Sequence, residues 1–446
     1  MLLMIKNIAI AALMVVSSLC GAQDWPQYQG PFRNGHSPET GLLRSWPEEG
    51  LTPLWSADVG IGYGGPVIKD GRVYFLDRDD EVGDTMRCLD LLSGKELWNY
   101  SYRAPGAVSY PGTRSVPLVD GDRVYSVGTF GELYCIDTRT HQPLWHHNVW
   151  TDYCGGRIPT YGISQCPLVV GDLLVVASQT PGAGVVAYDK ISGEEVWKTR
   201  PLGTQSYASP TLVTIAGEEQ IVMMTASADG VIVGNAPAKG HLVGIRPSDG
   251  SILWDFGEWE CRITCGMATE CGDDRLLFVG GYELGTVMLR IDKNPDGTFT
   301  PRELFRTLAF GDHTKPAIFH EGYLYGMYRT NSRRDGMVCM DLEGNIKWKT
   351  SRRPDFDRGS IIIADGLMLA SDGGSNLYLI DPSGEEFRSI SVTDLSKGIG
   401  PVTGQAVAGP PGVSVAGRQN WAPMALAGGY LVLVVHSKMV CVKVSA

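Results

Sequence analysis

The chain has 446 residues, including 56 glycines and 26 prolines, and its formal net charge at pH 7 is −11. The acidic charge and the lack of any Lys/Arg-rich stripe argue against nucleic-acid binding. Beyond the N-terminus no run reaches the roughly 18 apolar residues of a membrane-spanning helix, so the mature protein is not expected to span a membrane.

The N-terminus has the features of a secretory signal peptide over residues 1–22. Lys6 supplies the positive end, residues 8–16 form a short apolar core, and small residues precede a cleavage site at Gln23. The protein is therefore expected to be exported, to the periplasm or to the outside of the cell. Lipoprotein anchoring through Cys20 is the alternative, and the residues before Cys20 fit that motif poorly.

Residues 114–145 show the unit from which the rest of the chain is built. They contain four short runs rich in β-branched and aromatic residues, each bounded by glycine, aspartate or threonine. Short runs with dense turn residues and no long apolar period predict a four-stranded antiparallel meander. The high glycine content suits an architecture with many tight turns.

Copies of this unit follow one another along the chain, and each ends in an aromatic residue after a turn. Seven endings occur in series, and an eighth, at Trp55, stands alone near the mature N-terminus. Residues 422–444 supply strands that lack such an ending. We therefore predict an all-β, eight-bladed propeller of four-stranded antiparallel blades, closed by the N-terminal strand near Trp55. It would occupy residues 51–446 as one monomeric domain, after a lead-in segment at residues 23–50.

Tryptophan supplies the aromatic ending of most units. A large flat side chain can wedge between neighbouring blades, and the turn glycine permits positive φ, so the pattern indicates structural rather than catalytic tryptophans. These residues are Trp55, Trp98, Trp145, Trp197, Trp254 and Trp348.

The repeat has the spacing Cys-x-Asp-x-x-Ser-Gly-x-x-x-Trp at residues 88–98, with alanine in place of cysteine at residues 187–197. This spacing resembles the repeat of PQQ-like, quinoprotein-type eight-bladed propellers. The stretch DWPQYQGP at residues 24–31 looks like the lead-in of exported bacterial members. The resemblance implies the fold for nearly the whole mature chain. It leaves two functions, those of the pyrroloquinoline-quinone alcohol dehydrogenases and of the non-enzymatic BamB-like scaffold proteins, which help to assemble outer-membrane proteins.

The sequence lacks the residues that hold the cofactors and the metal in the dehydrogenase pattern. It has no adjacent cysteine pair, no Cys-x-x-Cys-His haem motif and no counterpart of the Glu/Asn/Asp calcium set. The resemblance therefore favours a non-enzymatic, BamB-like binding or scaffold protein with no cofactor and no metal. Its partner would be a protein or peptide of the cell envelope, or a small anionic ligand. A PQQ-dependent dehydrogenase with calcium and its ligand at the channel mouth is the alternative.

Candidate binding residues follow from aligning the repeats on the start of each innermost strand. The side chains three positions before that point should crowd one mouth of the central channel, where a small ligand would bind. These eight residues are Tyr63, Arg114, Ser164, Tyr207, Cys265, His313, Arg358 and Asn420. The predicted ligand-binding set is Tyr63, Arg114, Gln165, Tyr207, His313, Lys315, Arg358 and Trp421. Its arginines and lysine suggest an anionic ligand. The alternative is that these groups hydrogen-bond one another and water and so plug the channel. No catalytic residue is assigned.

Two insertions interrupt the repeat, at residues 149–162 and 391–420. Both lead into innermost strands, so both are expected on the face that carries the channel mouth. Residues 77–84 form an acidic loop that is expected to be a solvated blade tip. Residues 292–303 match the spacing of an EF-hand calcium loop but lack flanking helices, which favours a solvated hairpin turn.

The cysteines fall into two groups. Those at repeat positions and in the last strand are expected to be small buried hydrophobic residues: Cys88, Cys135, Cys339 and Cys441. Those in connecting segments could form disulfides whose pairing the sequence leaves open: Cys154, Cys166, Cys261, Cys265 and Cys271. The nine cysteines that remain after cleavage are an odd number, so at least one thiol should be free.

Overall fold

The structure is a computed structural model that describes residues 24–60, 62–227, 239–281, 284–329, 333–399 and 419–446, together with the strands Ile232–Val233 and Ala236–Pro237. The predicted signal peptide, with Cys20, lies outside these residues, as does most of the predicted insertion at residues 391–420. Among the helices of the described part, none is long and apolar enough to cross a membrane.

Eight small antiparallel sheets form the blades of a propeller, as the repeat count predicts. In blades 1 to 7 the strands are paired in sequence order from the centre outwards. Blade 1 contains Val67–Lys69, Arg72–Asp79, Gly83–Asp90 and Glu96–Arg103, and blade 2 contains Leu118–Asp120, Arg123–Val127, Glu132–Asp137 and Pro143–Asn148. Blade 3 contains Leu168–Val170, Leu173–Ala177, Val185–Asp189 and Glu195–Lys198, and blade 4 contains Thr211–Ile215, Glu218–Met224, Gly240–Ile245 and Ile252–Trp259.

The second half of the ring repeats this order. Blade 5 contains Thr269–Glu270, Arg275–Val279, Thr286–Lys293 and Phe299–Thr307, and blade 6 contains Ile318–His320, Tyr323–Arg329, Arg334–Asp341 and Ile346–Lys349. Blade 7 contains Ile361–Ala364, Leu367–Ser371, Asn376–Asp381 and Arg388–Asp394, and blade 8 contains Ala425–Ala427, Tyr430–Val435, Lys438–Lys443 and Trp55–Asp58.

Blade 8 closes the ring with strands from both ends of the chain. Trp55–Asp58 pairs antiparallel with Lys438–Lys443, and Trp55 lies opposite Cys441. The prediction of closure near Trp55 is confirmed. Because the outermost strand of the last blade comes from the beginning of the domain, the ring cannot open without breaking this sheet.

Short elements lie outside the four-stranded pattern. His36–Ser37, from the lead-in segment, adds a parallel strand beside Ile361–Ala364 of blade 7. Two 3₁₀ turns occur in the connections after blades 2 and 7, at Thr151–Tyr153 and Leu395–Gly398. The two-residue strands Ile232–Val233 and Ala236–Pro237 pair with each other between the second and third strands of blade 4.

The repeat tryptophans lie against the turn of the following blade. The indole of Trp55 donates to the carbonyl of Leu91 at 2.7 Å, and a Cβ added at Gly94 would lie 2.5 Å from the same ring. Trp197 likewise donates to the carbonyl of Pro247 at 2.8 Å. Trp254 differs, since its indole donates at 2.7 Å to the side chain of Gln220 in its own blade. In blade 5 the corresponding turn is a longer hairpin.

The cysteines contribute to the core as thiols. The four at repeat positions are completely buried, and all nine cysteines of the described chain are free. The connecting-segment cysteines, whose pairing the sequence leaves open, therefore form no disulfide in this structure. Cys88 and its counterparts fill the small space between sheets that alanine occupies at residue 187.

The acidic loop at residues 77–84 is exposed at its tip, at Asp79, Glu81 and Val82, but buried at its base. The side chains of Arg78 and Asp84 are both fully buried, with Nη1 and Oδ1 2.7 Å apart. Asp84 also accepts a hydrogen bond from the backbone amide of Thr129 in the next blade at 3.1 Å. The expectation fails only for this base, because strands Arg72–Asp79 and Gly83–Asp90 extend into the loop and turn these two charges inwards. They join blades 1 and 2.

The calcium-like segment at residues 292–303 forms a hairpin turn, as expected. Asp296 accepts hydrogen bonds from the amide and hydroxyl of Thr298 at 3.0 and 2.6 Å, and Asp292 pairs with Arg290 at 2.6 Å. These carboxylates are thus engaged by the turn itself. Among the described residues no group of three or more His, Cys, Asp or Glu side chains is arranged to hold a metal ion.

Candidate functional site

The lead-in segment crosses the centre of the propeller. At one side, Trp25 and Ile68 of blade 1 exchange two backbone hydrogen bonds of 2.8 Å. The amide of Val119 in blade 2 donates to the carbonyl of Pro26 at 2.8 Å. At the other side, the His36–Ser37 strand lies on blade 7. The innermost strands of the blades line the central channel. Because residues 25–37 contact several of these strands, they lie across that channel.

Arg33 anchors this segment at the channel axis. Its guanidinium is buried and donates to backbone carbonyls where the innermost strands of blades 3 and 4 begin. The partners are Cys166 at 3.0 Å, Pro167 at 3.0 Å and Pro210 at 2.9 and 3.1 Å. Burial lowers the pKa of Arg33 to about 10, so the side chain is still a cation at neutral pH.

Sequence reasoning missed this closure, because it treated residues 23–50 only as a lead-in. A signal was present, since the lead-in at residues 23–50 is 28 residues long and includes aromatic side chains, of which Trp25 and Tyr28 are buried. Nothing local, however, marks Arg33 as a buried cation. The segment lies across the channel as its floor, next to the predicted mouth.

Four side chains of the predicted mouth form a row with two aromatic rings in the middle and a cation at each end. The ring centroids of Tyr63 and Trp421 are 5.4 Å apart. The guanidinium carbon of Arg114 lies 5.3 Å from the Tyr63 centroid, and that of Arg358 lies 4.6 Å from the Trp421 centroid. Both distances allow cation–π contact. Residues from blades 1, 2, 7 and 8 are thus brought together, as the alignment of repeats predicts.

Further tyrosines extend this row around the mouth. Tyr207 packs edge-on against Tyr161 with centroids 5.3 Å apart, and Tyr161 lies 6.0 Å from Tyr110. Tyr110 in turn lies 6.0 Å from Trp421. Tyr110 and Tyr161 were not in the predicted set. Tyr161 comes from the insertion at residues 149–162, whose tyrosine content was its only sequence signal, and its contact with Tyr207 places that insertion at the mouth.

Arg114 is held in place by the loop that precedes its strand. Its guanidinium donates to the carbonyls of Ser109 at 2.6 Å, Gly112 at 3.2 Å and Tyr110. Burial lowers the pKa of Arg114, while nearby tyrosines and Cys265 act in the opposite direction. The hydrogen bonds to carbonyls fix the orientation of the cation and leave its charge available to an anion.

Arg358 has two features of a binding residue. Its backbone φ is 55°, a left-handed conformation that is uncommon for a residue other than glycine and that is frequent at functional sites. Its Nη1 donates to Asp357 at 3.0 Å, whereas its buried Nε has no hydrogen-bond partner among the described residues. The buried indole nitrogen of Trp421 also lacks one. An unsatisfied buried donor costs about 1–3 kcal/mol, which an acceptor on a ligand would remove.

Lys315 positions this pair rather than reaching into the mouth. Its ammonium donates to the carbonyls of Arg358 at 2.9 Å and Trp421 at 2.6 Å. Burial lowers the pKa of Lys315 to about 8, and the adjacent carboxylate of Asp312 opposes this decrease. Asp312 is itself held by three backbone amides, those of Thr314, Lys315 and Met327.

The remaining predicted residues have mainly structural contacts. Gln165 is buried and accepts from the amide of Ala177 at 3.1 Å, and Asn420 accepts from the amide of His436 at 2.6 Å. Cys265 is half-buried at the mouth, where burial raises the pKa of its thiol to about 12 despite the charge of Arg114. A role for any of these residues in ligand binding remains a prediction.

His313 should remain neutral across the physiological range. Burial lowers its pKa to about 3, and the charge of Arg358 acts in the same direction. The unfolded chain binds a proton near the ordinary pKa of about 6.5 and the folded chain does not, so stability should fall as the pH drops from about 6.5 towards 3. The His313 resonances in NMR spectra should stay constant between about pH 5 and 8. His313→Asn should flatten the acid side of the stability profile in urea unfolding, and an equally steep profile would contradict this.

Comparison with known proteins gives matches of two kinds. The model of the family described as outer membrane protein assembly factor BamB matches residues 40–152 and 82–256. A quinohemoprotein alcohol dehydrogenase of Comamonas testosteroni is 25% identical over 142 residues, which are 30% of this chain and 19% of that protein. The match therefore spans less than a fifth of the length of that relative.

Solved structures of both kinds share the fold. A europium-containing methanol dehydrogenase superposes with a TM-score of 0.63 at 13% identity, covering 92% of this chain and 89% of the other. BamB from Moraxella catarrhalis gives 0.54 at 13% identity, covering 88% and 99%. The quinohemoprotein alcohol dehydrogenase from Comamonas testosteroni gives 0.63 at 12% identity, covering 95% and 81%. Structural likeness at these identities shows the fold and does not choose between the two functions.

Proposed function

Since the chain belongs to the PQQ-like repeat family of eight-bladed β-propellers, we propose that it is an exported, non-enzymatic binding protein that recognises an anionic group at its channel mouth. The anion would be a carboxylate, carried by a peptide or protein of the cell envelope or by a small organic acid. Family likeness to BamB supports a protein partner.

The observation that carries this proposal is the row formed by Arg114, Tyr63, Trp421 and Arg358. Guanidinium groups recognise carboxylates through paired hydrogen bonds, and aromatic faces restrict where those groups point. The carbonyls that hold Arg114 and the aromatic face beneath Arg358 fix both cations before any ligand arrives. Preorganisation of this kind reduces the ordering that binding would otherwise require.

The charge at the mouth also favours an anion. Three cationic side chains, Arg114, Lys315 and Arg358, face two nearby carboxylates, Asp312 and Asp357. Asp357 is shared with Arg329, whose Nη1 lies 3.4 Å from its Oδ2. A positive charge therefore remains in a protein whose total charge is −11.

The alternative, a quinone-dependent dehydrogenase, fits the described residues only in part. A flat, polyanionic quinone would suit the arginines and the face of Trp421. The calcium ion would not be held, because no group of three or more metal-binding side chains occurs in the described chain. Cys265 has no adjacent cysteine, so the paired sulfurs of the dehydrogenase pattern have no counterpart either.

A peptide-binding experiment tests the proposal. The probe is a library of short peptides with free C-terminal carboxylates, compared with the same library amidated and with a panel of di- and tricarboxylic acids. Binding is followed by calorimetry and by quenching of tryptophan fluorescence. We expect the carboxylates to bind, and Arg358→Met to weaken binding by about tenfold or more, since a hydrogen bond to a charged group contributes about 1.5–3 kcal/mol. Arg44→Met is the control, because Arg44 is exposed and pairs with Asp365.

One further variant completes this experiment. Trp421→Phe keeps the aromatic face and removes an indole nitrogen that has no partner, so it should change binding and fluorescence without lowering the melting temperature. Equal affinity for free and amidated peptides, together with no binding of organic acids, would overturn the proposal. Quinone absorbance that co-purifies with the protein, or dye reduction with alcohols after addition of pyrroloquinoline quinone and calcium, would establish the alternative.

A further inference from the structure

Blade 6 carries a patch of arginines on the face of the propeller that holds the channel mouth. The arginine patch consists of Arg334, Arg352 and Arg353, which are all exposed. Arg334 begins the third strand of the blade, and the other two follow its fourth strand, Ile346–Lys349. Because neighbouring strands of the blade are antiparallel, these positions lie at the same end as the start of the innermost strand, where the mouth is.

The arginines of the patch have no counter-charge of their own. Among the described residues, no carboxylate forms an ion pair with any of the three. Other exposed arginines do have one, since an aspartate pairs with each of Arg44, Arg139 and Arg388. The arginine patch is therefore a locally positive surface on a protein whose net charge is −11.

The backbone holds the two parts of the patch together. The amide of Ser351 donates to the carbonyl of Asp335 at 2.7 Å, so Arg334 and Arg352 belong to adjoining stretches of chain. Gly336 permits this approach, because its φ is 68° and a Cβ there would lie 2.6 Å from the carbonyl oxygen of Ser351. The patch is thus built on a fixed backbone, which reduces the ordering that binding requires.

The carboxylate nearest to the patch in sequence is already shared by two other cations. Asp335 pairs with Nε of Arg333 at 3.3 Å and with Nζ of Lys349 at 3.2 Å, and only 13% of its side chain is exposed. Arg333 also donates to the carbonyl of Leu308, whose side chain is 58% exposed. Arginines next to apolar surface are typical of protein interfaces.

A line of charged groups connects the arginine patch to the mouth. Arg329 lies opposite Arg334 in the pairing of the second and third strands. Its Nη1 is 3.3 Å from Oδ2 of Asp355 and 3.4 Å from Oδ2 of Asp357. Asp357 in turn accepts from Arg358 of the mouth at 3.0 Å. The patch and the mouth are therefore parts of one surface.

The chain itself limits how far apart the two parts of this surface are. Six positions separate Arg352 from Arg358. An extended chain spans at most about 3.6 Å per residue, so the two backbones lie within about 22 Å of each other. A bound peptide of about seven extended residues reaches from one to the other.

We propose that the arginine patch binds acidic residues that precede the C-terminal carboxylate of a peptide held at the mouth. This inference rests on the proposed function and defines the partner as a peptide or protein with several aspartates or glutamates among its last seven or so residues. The guanidinium fork pairs with carboxylates through two parallel hydrogen bonds. A flat lipid surface would contact the patch without entering the mouth, so the continuity of the two favours a peptide.

Calorimetry with two synthetic peptides and the purified protein tests this proposal. The first peptide has seven residues, three aspartates at its acetylated N-terminal end and a free C-terminal carboxylate, and the second has asparagine in place of aspartate. We expect the first to bind about tenfold more tightly, since three exposed ion pairs each add a modest contribution.

A patch variant should bind both peptides with the affinity of the asparagine peptide, and it combines Arg334→Gln, Arg352→Gln and Arg353→Gln. Its matched control removes the same charge from arginines that are 63–68% exposed and should keep the preference for aspartate, and it combines Arg44→Gln, Arg139→Gln and Arg388→Gln. Melting temperatures of both variants should stay near that of the wild type.

The outcomes separate this proposal from the proposed function. If Arg358→Met weakens both peptides but aspartate and asparagine bind equally in the wild type, the patch proposal is overturned and the mouth remains the carboxylate site. If the patch variant loses the aspartate preference while Arg358→Met changes nothing, the patch is upheld and the proposed function fails. Binding to phosphatidylglycerol vesicles that the patch variant loses, with unchanged peptide binding, would make the patch a membrane surface and overturn the proposal.

Discussion

Asp84→Ala should lower the free energy of unfolding by about 3–5 kcal/mol. The substitution leaves the guanidinium of Arg78 buried without its fully buried partner, and it also removes the acceptor for the backbone amide of Thr129. Two of the remaining partners of Arg78, the carbonyls of Ala104 and Gly106, cannot balance its charge. Urea unfolding followed by tryptophan fluorescence measures the loss.

Asp80→Ala is the matched control for this prediction. Asp80 pairs with the same guanidinium, through Nε at 2.8 Å, but its side chain is 30% exposed. Ion pairs that remain in contact with water contribute about 1 kcal/mol or less, so this variant should stay close to the wild type. Equal losses for the two variants would mean that burial of the Arg78–Asp84 pair is not what joins blades 1 and 2.

Arg33→Met should also lower the free energy of unfolding by about 3 kcal/mol or more, because three buried carbonyls lose a charged donor and each such loss costs about 1–3 kcal/mol. The carbonyls are those of Cys166, Pro167 and Pro210, in two blades, so the variant should loosen the lead-in segment across the whole channel floor. Hydrogen exchange at Ile68 and Ile363, whose amides bond to this segment, should become faster.

The control for Arg33 is again Arg44→Met. Arg44 belongs to the same segment and pairs with Asp365 at 2.8 Å, but 63% of its side chain is exposed. Its replacement should change stability by about 1 kcal/mol or less. Arg33→Lys should recover part of the loss, since an ammonium can donate to some of the carbonyls but cannot reproduce the fork of the guanidinium. Unchanged exchange at Ile68 and Ile363 in Arg33→Met would contradict the assignment of Arg33 as the anchor.

The lead-in segment and the mouth residues bear on function together, because both lie at the central channel. The lead-in segment is its floor, and the row of Arg114, Tyr63, Trp421 and Arg358 is its rim. Loss of the floor in Arg33→Met should weaken binding at the mouth only indirectly, whereas Arg358→Met should weaken it without changing exchange at Ile68.

The sequence alone determined the architecture, because the contacts that build a blade are local. Each strand pairs with the next strand in the chain, so turn glycines, short apolar runs and a closing aromatic residue record the pairing directly. Even closure by the strand at Trp55 could be inferred, since one unit lacked strands and another lacked its ending. The alignment of repeats also brought Tyr63, Arg114, Arg358 and Trp421 to one place, because equivalent positions in a ring face the same mouth.

Only the tertiary structure decided what depends on partners distant in sequence. The carbonyls that hold Arg33 lie 133 to 177 positions away, and His36 and His320, whose ring nitrogens are 3.3 Å apart, are separated by 284 positions. The burial of Arg78 and Asp84 arises in the same way, from the fit of one blade against the next, and so does the contact of Tyr110 with Trp421. A charged or aromatic side chain gives no local sign of which distant group will face it. The physical reason is that local periodicity fixes how a strand pairs, whereas the environment of a single side chain is set by the packing of all eight blades.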